Sequence, residues 1–214
     1  MLAVVNPKGG SGKTTACAFC AKALAEQRHP DGSPVHNVLA VDADPEPESS
    51  LFEWQRMAGL PFGAAKLAVP TLYRELPRHV GPSVSAVVID TPGTAVGRPI
   101  MLGAIRAATH VLVPLAPGPA DYGRLRTLRT ILDEALGRHG ARPVVAVLMV
   151  KVRSPLSHRT WRNQAIDDGW RVLKTSVPLW ETYAQALGSP IVNASATGYG
   201  DAVAELLNAE GPGL

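Results

Sequence analysis

Short apolar runs recur along the chain and do not alternate between apolar and polar residues. They are dominated by valine, isoleucine and leucine. Strands covered on both faces, as in a parallel sheet, have this pattern, whereas strands with one solvated face alternate. Buried strands are therefore predicted at residues 2–5, 38–41, 86–89, 111–115 and 144–150.

Between these runs the apolar residues follow helical spacing. Helices are predicted at residues 14–28, 98–108, 122–138, 156–168 and 201–208. Strands that alternate with helices predict an α/β fold with a doubly wound, mostly parallel sheet. Because no repeat or low-complexity segment interrupts the pattern, we expect one domain over residues 1–214. The chain opens on its first strand, so we expect no N-terminal helix-turn-helix.

Length and composition agree with one well-packed domain. Of the 214 residues, 46% are hydrophobic and 18% are charged, which is enough apolar material for a core. No apolar run approaches the ~20 residues that span a bilayer, and the start lacks the features of a secretory signal. Cys17 and Cys20 are expected to be small core residues rather than a redox or metal pair. A reducing, cytoplasmic setting and no membrane partner follow as expectations.

A glycine-rich run follows the first predicted strand directly. It reads Asn6-Pro7-Lys8-Gly9-Gly10-Ser11-Gly12-Lys13-Thr14-Thr15. A helix start offers unpaired N–H groups and a positive dipole end to a phosphate, and glycines let the backbone approach it closely. Lys13 supplies a charge for the β- and γ-phosphates, and the Thr14 hydroxyl is placed to bind Mg²⁺. A plain strand-to-helix turn with solvated lysines is the alternative.

The run departs from the usual phosphate loop in having Pro7 where that pattern has glycine, and in offering a second lysine, Lys8. It resembles the deviant Walker A motif of the ParA/MinD ATPases, most closely the small plasmid-partition ParA proteins, including the ParF type. The resemblance implies binding of ATP or ADP and an ATP-dependent homodimer in which Lys8 reaches the partner's nucleotide, as an arginine finger does. The loop residues implied to bind nucleotide are Lys8, Gly9, Gly10, Ser11, Gly12, Lys13, Thr14 and Thr15.

Two aspartates, Asp42 and Asp44, end the second predicted strand. The carboxyl ends of parallel strands face the ligand crevice, and residues two apart in an extended chain project to the same side. The resemblance implies that Asp44 orients the attacking water and that Asp42 supports the Mg²⁺ and the loop region. A turn that merely ends the strand is the alternative. The family usually has glutamine where this chain has Glu46.

A third acid, Asp90, ends the next predicted strand and is followed by Gly93. An apolar strand that delivers one acid is typical of a Walker B motif, in which the acid holds Mg²⁺. Gly93 can bring a backbone N–H to the γ-phosphate, as switch loops do. The candidate catalytic residues are therefore Lys8, Lys13 and Asp44. The candidate Mg²⁺ residues are Thr14, Asp42 and Asp90.

Two later segments also resemble the family. A proline-rich run at residues 113–121 resembles a loop of ParF-type proteins. It is expected to form a fixed wall at the dimer face or at the nucleotide pocket, and a rigid connector is the alternative. Pro178 and Leu179 match the segment that cups the adenine with backbone atoms. Chromosomal relatives use an arginine after the matching proline for DNA, but Leu179 and Trp180 follow here, so that contact cannot be carried over.

Other basic residues are candidates for nonspecific DNA binding. A stretch without acids contains Lys151, Arg153, Arg159 and Arg162, and a second group lies at residues 124–129. Contacts to backbone phosphates need such clusters but no base-reading motif. A solvated helix face is the alternative.

The motifs and the resemblance together imply an ATPase that partitions plasmid or chromosomal DNA. ATP would close a dimer on nonspecific DNA of the nucleoid, and a ParB-like partner would stimulate hydrolysis and release. A ParA-like ATPase that positions a non-DNA cargo, such as a protein cluster or microcompartment, is the alternative, because the partner chooses the cargo. A MinD-like membrane-surface ATPase is less favoured, since residues 201–214 are acidic and short where a basic amphipathic helix is needed.

Overall fold

Seven strands form one sheet in the computed structural model, which describes residues 1–46, 50–137 and 142–211. The strands are β1 Leu2–Val4, β2 Val38–Asp42, β3 Gly63–Lys66, β4 Ala86–Asp90, β5 His110–Leu115, β6 Val144–Val152 and β7 Val172–Pro178. Their order across the sheet is β3-β2-β4-β1-β5-β6-β7, and all neighbours are parallel. The predicted α/β class with a parallel sheet is confirmed.

Nine α-helices lie within the described residues. They are α1 Lys13–Glu26, α2 Leu51–Ala58, α3 Leu72–His79, α4 Arg98–Ala107, α5 Pro119–Tyr122, α6 Arg124–Leu136, α7 Pro155–Asp167, α8 Glu181–Ala184 and α9 Gly198–Leu207. The single helix predicted over residues 122–138 is wrong at its start, because Gly123 separates the short α5 from α6. Residue 138 lies outside the described residues.

Helices cover the sheet on both faces. One core contains residues of α1, α2 and α9, and the other contains residues of α3, α4 and α6. Every residue of β1 and β2 is buried, which explains why these strands are continuously apolar. No helix among the described residues is both long and apolar enough to cross a membrane.

The elements that the sequence pattern missed include both edges of the sheet. β3 has the composition Gly-Ala-Ala-Lys and contains no β-branched residue, so pairing with β2 rather than propensity makes it a strand. β7 pairs with β6 through two register shifts and has exposed or half-buried positions between buried ones. Edge strands lack the double cover that makes the central strands recognisable.

The carboxyl ends of β1, β2 and β4 lie side by side at one end of the strands. Asp90 is in register with Val4 on one side and with Asp42 on the other. The glycine-rich loop after β1 therefore begins beside the acids that end β2 and β4. The Asn6 side chain donates a hydrogen bond to the Pro114 carbonyl at 2.8 Å, which ties the loop to β5.

Candidate functional site

A cavity of about 530 Å³ opens at the carboxyl ends of these strands. Its volume lies in the usual range for small-molecule sites, ~300–1,000 Å³. The loop residues that line it are Gly9, Gly10, Gly12, Lys13, Thr14 and Thr15. The polar wall is completed by Asp44, Glu46, Gly93, Thr94 and Lys151. The apolar and aromatic wall consists of Pro178, Leu179, Trp180, Tyr183, Ala184, Leu187 and Tyr199.

The loop between β1 and α1 is shaped by glycines. Gly10 has a φ of 70° and Gly12 one of 89°, in the left-handed region that other residues avoid. Gly12 precedes α1 without any side-chain cap, and the first turn of α1 has no acidic residue. The positive end of the helix dipole is therefore left for an external anion, such as a phosphate group.

Lys13 lies inside this loop with only 7% of its surface exposed. Its Nζ donates to the Lys8 carbonyl at 3.0 Å and to the Ser11 hydroxyl at 3.5 Å. Burial lowers the pKa of Lys13, and the nearby carboxylates of Asp90 and Asp44 oppose that decrease. A phosphate in the loop would give the buried ammonium a fully charged partner.

Gly93 brings the loop after β4 against the phosphate loop. A Cβ at this position would lie 2.5 Å from Lys13 Nζ and 2.8 Å from the Lys8 carbonyl oxygen. No side chain fits between these groups, so the close approach of the two loops requires glycine. The predicted γ-phosphate contact through the Gly93 N–H stays a prediction, and this proximity is what such a contact needs.

Asp90 is an acid buried below the loop, and it is 1% exposed. Among the described residues its Oδ1 has no hydrogen-bond partner. Burial raises the pKa of Asp90 to about 7, while a hydrogen bond from the Thr14 hydroxyl and the charge of Lys13 oppose the rise. An unpaired carboxylate oxygen is costly to bury. This oxygen and the adjacent hydroxyl fit Mg²⁺, which prefers oxygen ligands.

The metal contacts suit an ion that arrives with a nucleotide. In the part of the chain that the structure describes, no three His, Cys, Asp or Glu side chains form a metal-binding group. Mg²⁺ does not need one, because it usually keeps several waters and binds one or two carboxylates together with substrate phosphates. When bound, Mg²⁺ neutralises charge on the β- and γ-phosphates.

The two aspartates after β2 differ in surroundings. Asp42 is fully buried, and its carboxylate accepts the backbone N–H of Asp44 at 3.1 Å and of Phe52 at 3.2 Å. These bonds hold the turn after β2 and the start of α2. This agrees with the prediction that Asp42 supports the loop region. Each carboxylate oxygen accepts one of these bonds, and the support of Mg²⁺ predicted for Asp42 stays a prediction. Asp44 lines the cavity, where a water-orienting carboxylate belongs.

Lys8 is held within its own chain. Its Nζ bonds to both carboxylate oxygens of Asp121, at 3.0 and 2.8 Å. Asp121 belongs to α5, so the end of the proline-rich run lies beside the phosphate loop. The Lys8 side chain is 37% exposed, and such ion pairs contribute only ~0–1 kcal/mol. A reach to a partner's nucleotide requires this pair to open, at small energetic cost.

Lys151 lies over the phosphate loop and lines the cavity, which the arginines of its group do not. Its Nζ donates to the Gly10 carbonyl at 2.7 Å. Its φ of 55° is unusual for a residue other than glycine, and the β6–β7 register shifts between Met149 and Val152. Lys151 therefore lies at the nucleotide cavity, and its predicted contact with DNA stays a prediction. Its place at the carboxyl end of a strand was the signal that could have revealed this.

The remaining candidate DNA-binding residues lie on or next to α6 and α7, and these two helices pack on the same face of the sheet. Arg153 and Arg159 are exposed and Arg162 is half-buried. The residues of the second group, Arg124, Arg126 and Arg129, are exposed on α6. The Tyr122 hydroxyl donates to the Gln164 carbonyl at 3.1 Å, which brings the two groups to one side. Their contact with DNA stays a prediction.

The two cysteines are core residues, as expected. Cys17 and Cys20 are fully buried on α1. Burial raises the pKa of the Cys17 thiol, and the neighbouring Asp90 adds to the rise. Burial also raises the pKa of the Cys20 thiol, to about 12. Both thiols therefore stay protonated, which is unfavourable for metal binding or redox chemistry.

The fold and the cavity define a P-loop protein that binds a nucleotide with Mg²⁺. Residues 2–190 match the family described as the CobQ/CobB/MinD/ParA nucleotide binding domain, and the chain belongs to this family. The resemblance to ParA/MinD ATPases is thereby confirmed, and the chain is an ATPase of this family whose cavity residues fit ATP with Mg²⁺.

Three comparisons show which known proteins the chain is similar to. It is 31% identical over 186 residues to maintenance of carboxysome distribution protein A of Gloeobacter kilaueensis, covering 87% of this chain and 76% of the relative. The ATP complex of a variant of Cyanothece McdA has a TM-score of 0.65 at 18% identity, with 98% and 96% of the two chains covered. MinD with Mg-ADP from Pyrococcus horikoshii has a TM-score of 0.65 at 17% identity, with 96% and 93% covered. The two structures establish similarity of fold.

Proposed function

We propose that the chain is a positioning ATPase whose cargo is a protein assembly rather than a plasmid or chromosome. The observation that carries the proposal is the 31% identity over most of both chains with a protein that maintains carboxysome distribution. The sequence favours DNA partition and keeps a non-DNA cargo as the alternative, and this relative supports the alternative. An adaptor protein would link the ATPase to this cargo, in the role that a ParB-like partner has in DNA partition.

In the proposed cycle ATP binds to the cavity and two chains join face to face. Lys13 and the N-terminus of α1 hold the phosphates, and Thr14 and Asp90 hold Mg²⁺. Lys8 leaves Asp121 and contacts the nucleotide of the partner chain. Asp44 orients the water that attacks the γ-phosphate, in a reaction that depends on positioning and charge neutralisation.

The surface on which the dimer would move is nonspecific nucleoid DNA in the cytoplasm. The exposed arginines on or next to α6 and α7 support this part of the proposal, because the two helices cover the same face of the sheet. They also lie close to α5, which contains Asp121, the residue that pairs with Lys8. Among the described residues Arg126, Arg153 and Arg159 form no salt bridge. Guanidinium groups without acidic partners are available to backbone phosphates.

Replacing Lys8 with alanine is expected to remove ATP-dependent dimers while ATP still binds. The lost ion pair with Asp121 is weak, so ATP affinity of the monomer should change by less than about 5-fold. Sedimentation with a non-hydrolysable ATP analogue measures the dimer, and retention on mixed-sequence duplex at low and moderate salt measures DNA binding.

Lys22→Ala is the matched control, because Lys22 is also paired with an acid, Glu26, on α1. It should dimerise and bind DNA like the wild type. Normal dimers of Lys8→Ala would contradict the role of Lys8 across the interface.

The cargo is tested in the cell from which the gene comes. A Lys13→Ala allele at the native locus should leave plasmid and chromosome inheritance at the parental level, while a protein assembly that is normally evenly spaced collects in few clusters. Replicon loss is counted on plates, and assemblies are located by electron cryotomography. A Lys22→Ala allele should behave as the parent. Replicon loss with evenly spaced assemblies would overturn the proposal.

A further inference from the structure

The apolar wall of the nucleotide cavity carries an exposed tryptophan. Trp180 is 58% exposed, although tryptophan is normally buried for the most part. Leu179 and Leu187 of the same wall are also exposed. A large flat apolar surface that faces a ligand cavity gains most from a flat apolar partner.

The position of the Trp180 ring is set by an aromatic cluster below it. The ring stacks on Tyr183 with a centroid distance of 5.7 Å and an angle of 9° between the planes. Tyr183 in turn packs edge-on against Phe19 at 5.2 Å and Tyr199 at 5.3 Å. Phe19 belongs to α1, the helix that begins at the phosphate loop. The same helix therefore supports both the phosphate contacts and the tryptophan wall, which gives a pre-formed site.

Backbone hydrogen bonds leave few donors for a base in this segment. The N–H of Leu179 donates to the Val152 carbonyl, and the N–H of Trp180 donates to the Pro178 carbonyl, both at 3.0 Å. Pro178 has no N–H. The sequence predicts that Pro178 and Leu179 hold the base with backbone atoms. Because their amides cannot donate to the base, this prediction is limited to contacts that need no N–H group from these two residues.

We propose that the face of Trp180 opposite Tyr183 stacks on the base of the bound nucleotide. This inference rests on the nucleotide site that the proposed function also requires. Stacking attracts every base but favours the larger surface of a purine. Trp180 would thus supply base affinity and a preference for purine over pyrimidine nucleotides, while the phosphate loop contributes equally to all triphosphates.

The test uses the Lys8→Ala chain, so that dimerisation does not contribute to the measured affinity. In this background, Trp180→Ala should weaken ATP binding by about 10-fold or more, and Trp180→Phe should stay within about 3-fold. The affinity ratio of ATP to CTP should fall in Trp180→Ala, and binding of inorganic tripolyphosphate should not change. Calorimetry measures all three ligands.

Trp161→Ala is the matched control, because Trp161 packs on Tyr122 away from the cavity. It should bind ATP as the Lys8→Ala chain does. Fluorescence adds a second measurement: ATP should change the tryptophan emission of the Lys8→Ala chain, and Trp180→Phe should remove that change although ATP still binds.

The outcomes separate this inference from the nucleotide site itself. If neither the native chain nor the Lys8→Ala chain binds ATP, or if a further Lys13→Ala change leaves ATP affinity unaltered, the nucleotide site is wrong. If Lys13→Ala abolishes binding but Trp180→Ala leaves ATP affinity and the ATP to CTP ratio unaltered, the base contact alone is overturned. Loss of dimers in Trp180→Ala of the otherwise native chain, with unaltered monomer affinity, would assign Trp180 to a protein interface and also overturn it.

Discussion

Replacement of Lys13 by alanine is expected to reduce ATP affinity at least ~100-fold, to a level that an equilibrium titration no longer detects. The ammonium is buried in the phosphate loop, where a charged hydrogen bond is worth ~1.5–3 kcal/mol and screening by water is weak. Two such bonds to the β- and γ-phosphates account for the expected loss. Calorimetry with ATP and Mg²⁺ measures the affinity, and thermal unfolding without nucleotide shows whether the fold persists.

Lys13→Met keeps most of the side-chain volume and should lose ATP binding to the same extent. Lys22→Ala, on the same helix, should keep it. Wild-type ATP affinity in a folded Lys13→Ala chain would end the interpretation of this loop as a triphosphate site.

Asp44→Ala is expected to lower the rate of ATP hydrolysis about 100-fold while ATP affinity stays near that of the wild type. Removal of a group that positions the reacting water typically costs this much in rate. Because hydrolysis would end the dimeric state in the proposed cycle, the variant should accumulate as an ATP-bound dimer on DNA. Phosphate release under saturating ATP measures the rate, and sedimentation measures the dimer.

Two variants refine the Asp44 result. The Asp44 side chain accepts the backbone N–H of Glu46 at 3.1 Å, so Asp44→Asn preserves this turn while removing the charge, and should be as slow as Asp44→Ala. Glu46→Gln restores the residue that the family usually has and should hydrolyse ATP at about the wild-type rate. Normal hydrolysis in Asp44→Ala would refute the assigned role.

The Lys8–Asp121 pair holds the Lys8 ammonium within its own chain in this structure. While Asp121 accepts both bonds from the Lys8 ammonium, this charge is directed inward to its own chain. The pair is only partly buried, so its contribution of ~0–1 kcal/mol is small beside a contact with a triphosphate. Dimerisation would therefore follow the nucleotide rather than compete with a strong internal contact.

The sequence by itself determined the class of fold and the phosphate half of the site. Central strands covered on both faces are continuously apolar, and the order of strand, glycine-rich loop and helix is written in consecutive residues. Gly10 and Gly12 adopt the positive φ that this loop requires. The acid Asp90 was found for the same reason, since it directly follows an apolar strand. Local physical constraints of this kind need no tertiary information.

Only the tertiary structure decided which distant residues complete the site. Lys8 and Asp121 are 113 positions apart, and Lys151 and Gly10 are 141 apart, so no local pattern joins them. The edge strand β3 depends on its neighbour rather than on its own composition. No sequence pattern distinguishes Trp180, and only the structure shows that its ring stacks on Tyr183 beside the cavity. These features depend on packing between elements that are separated along the chain, and packing is what the sequence pattern alone does not record.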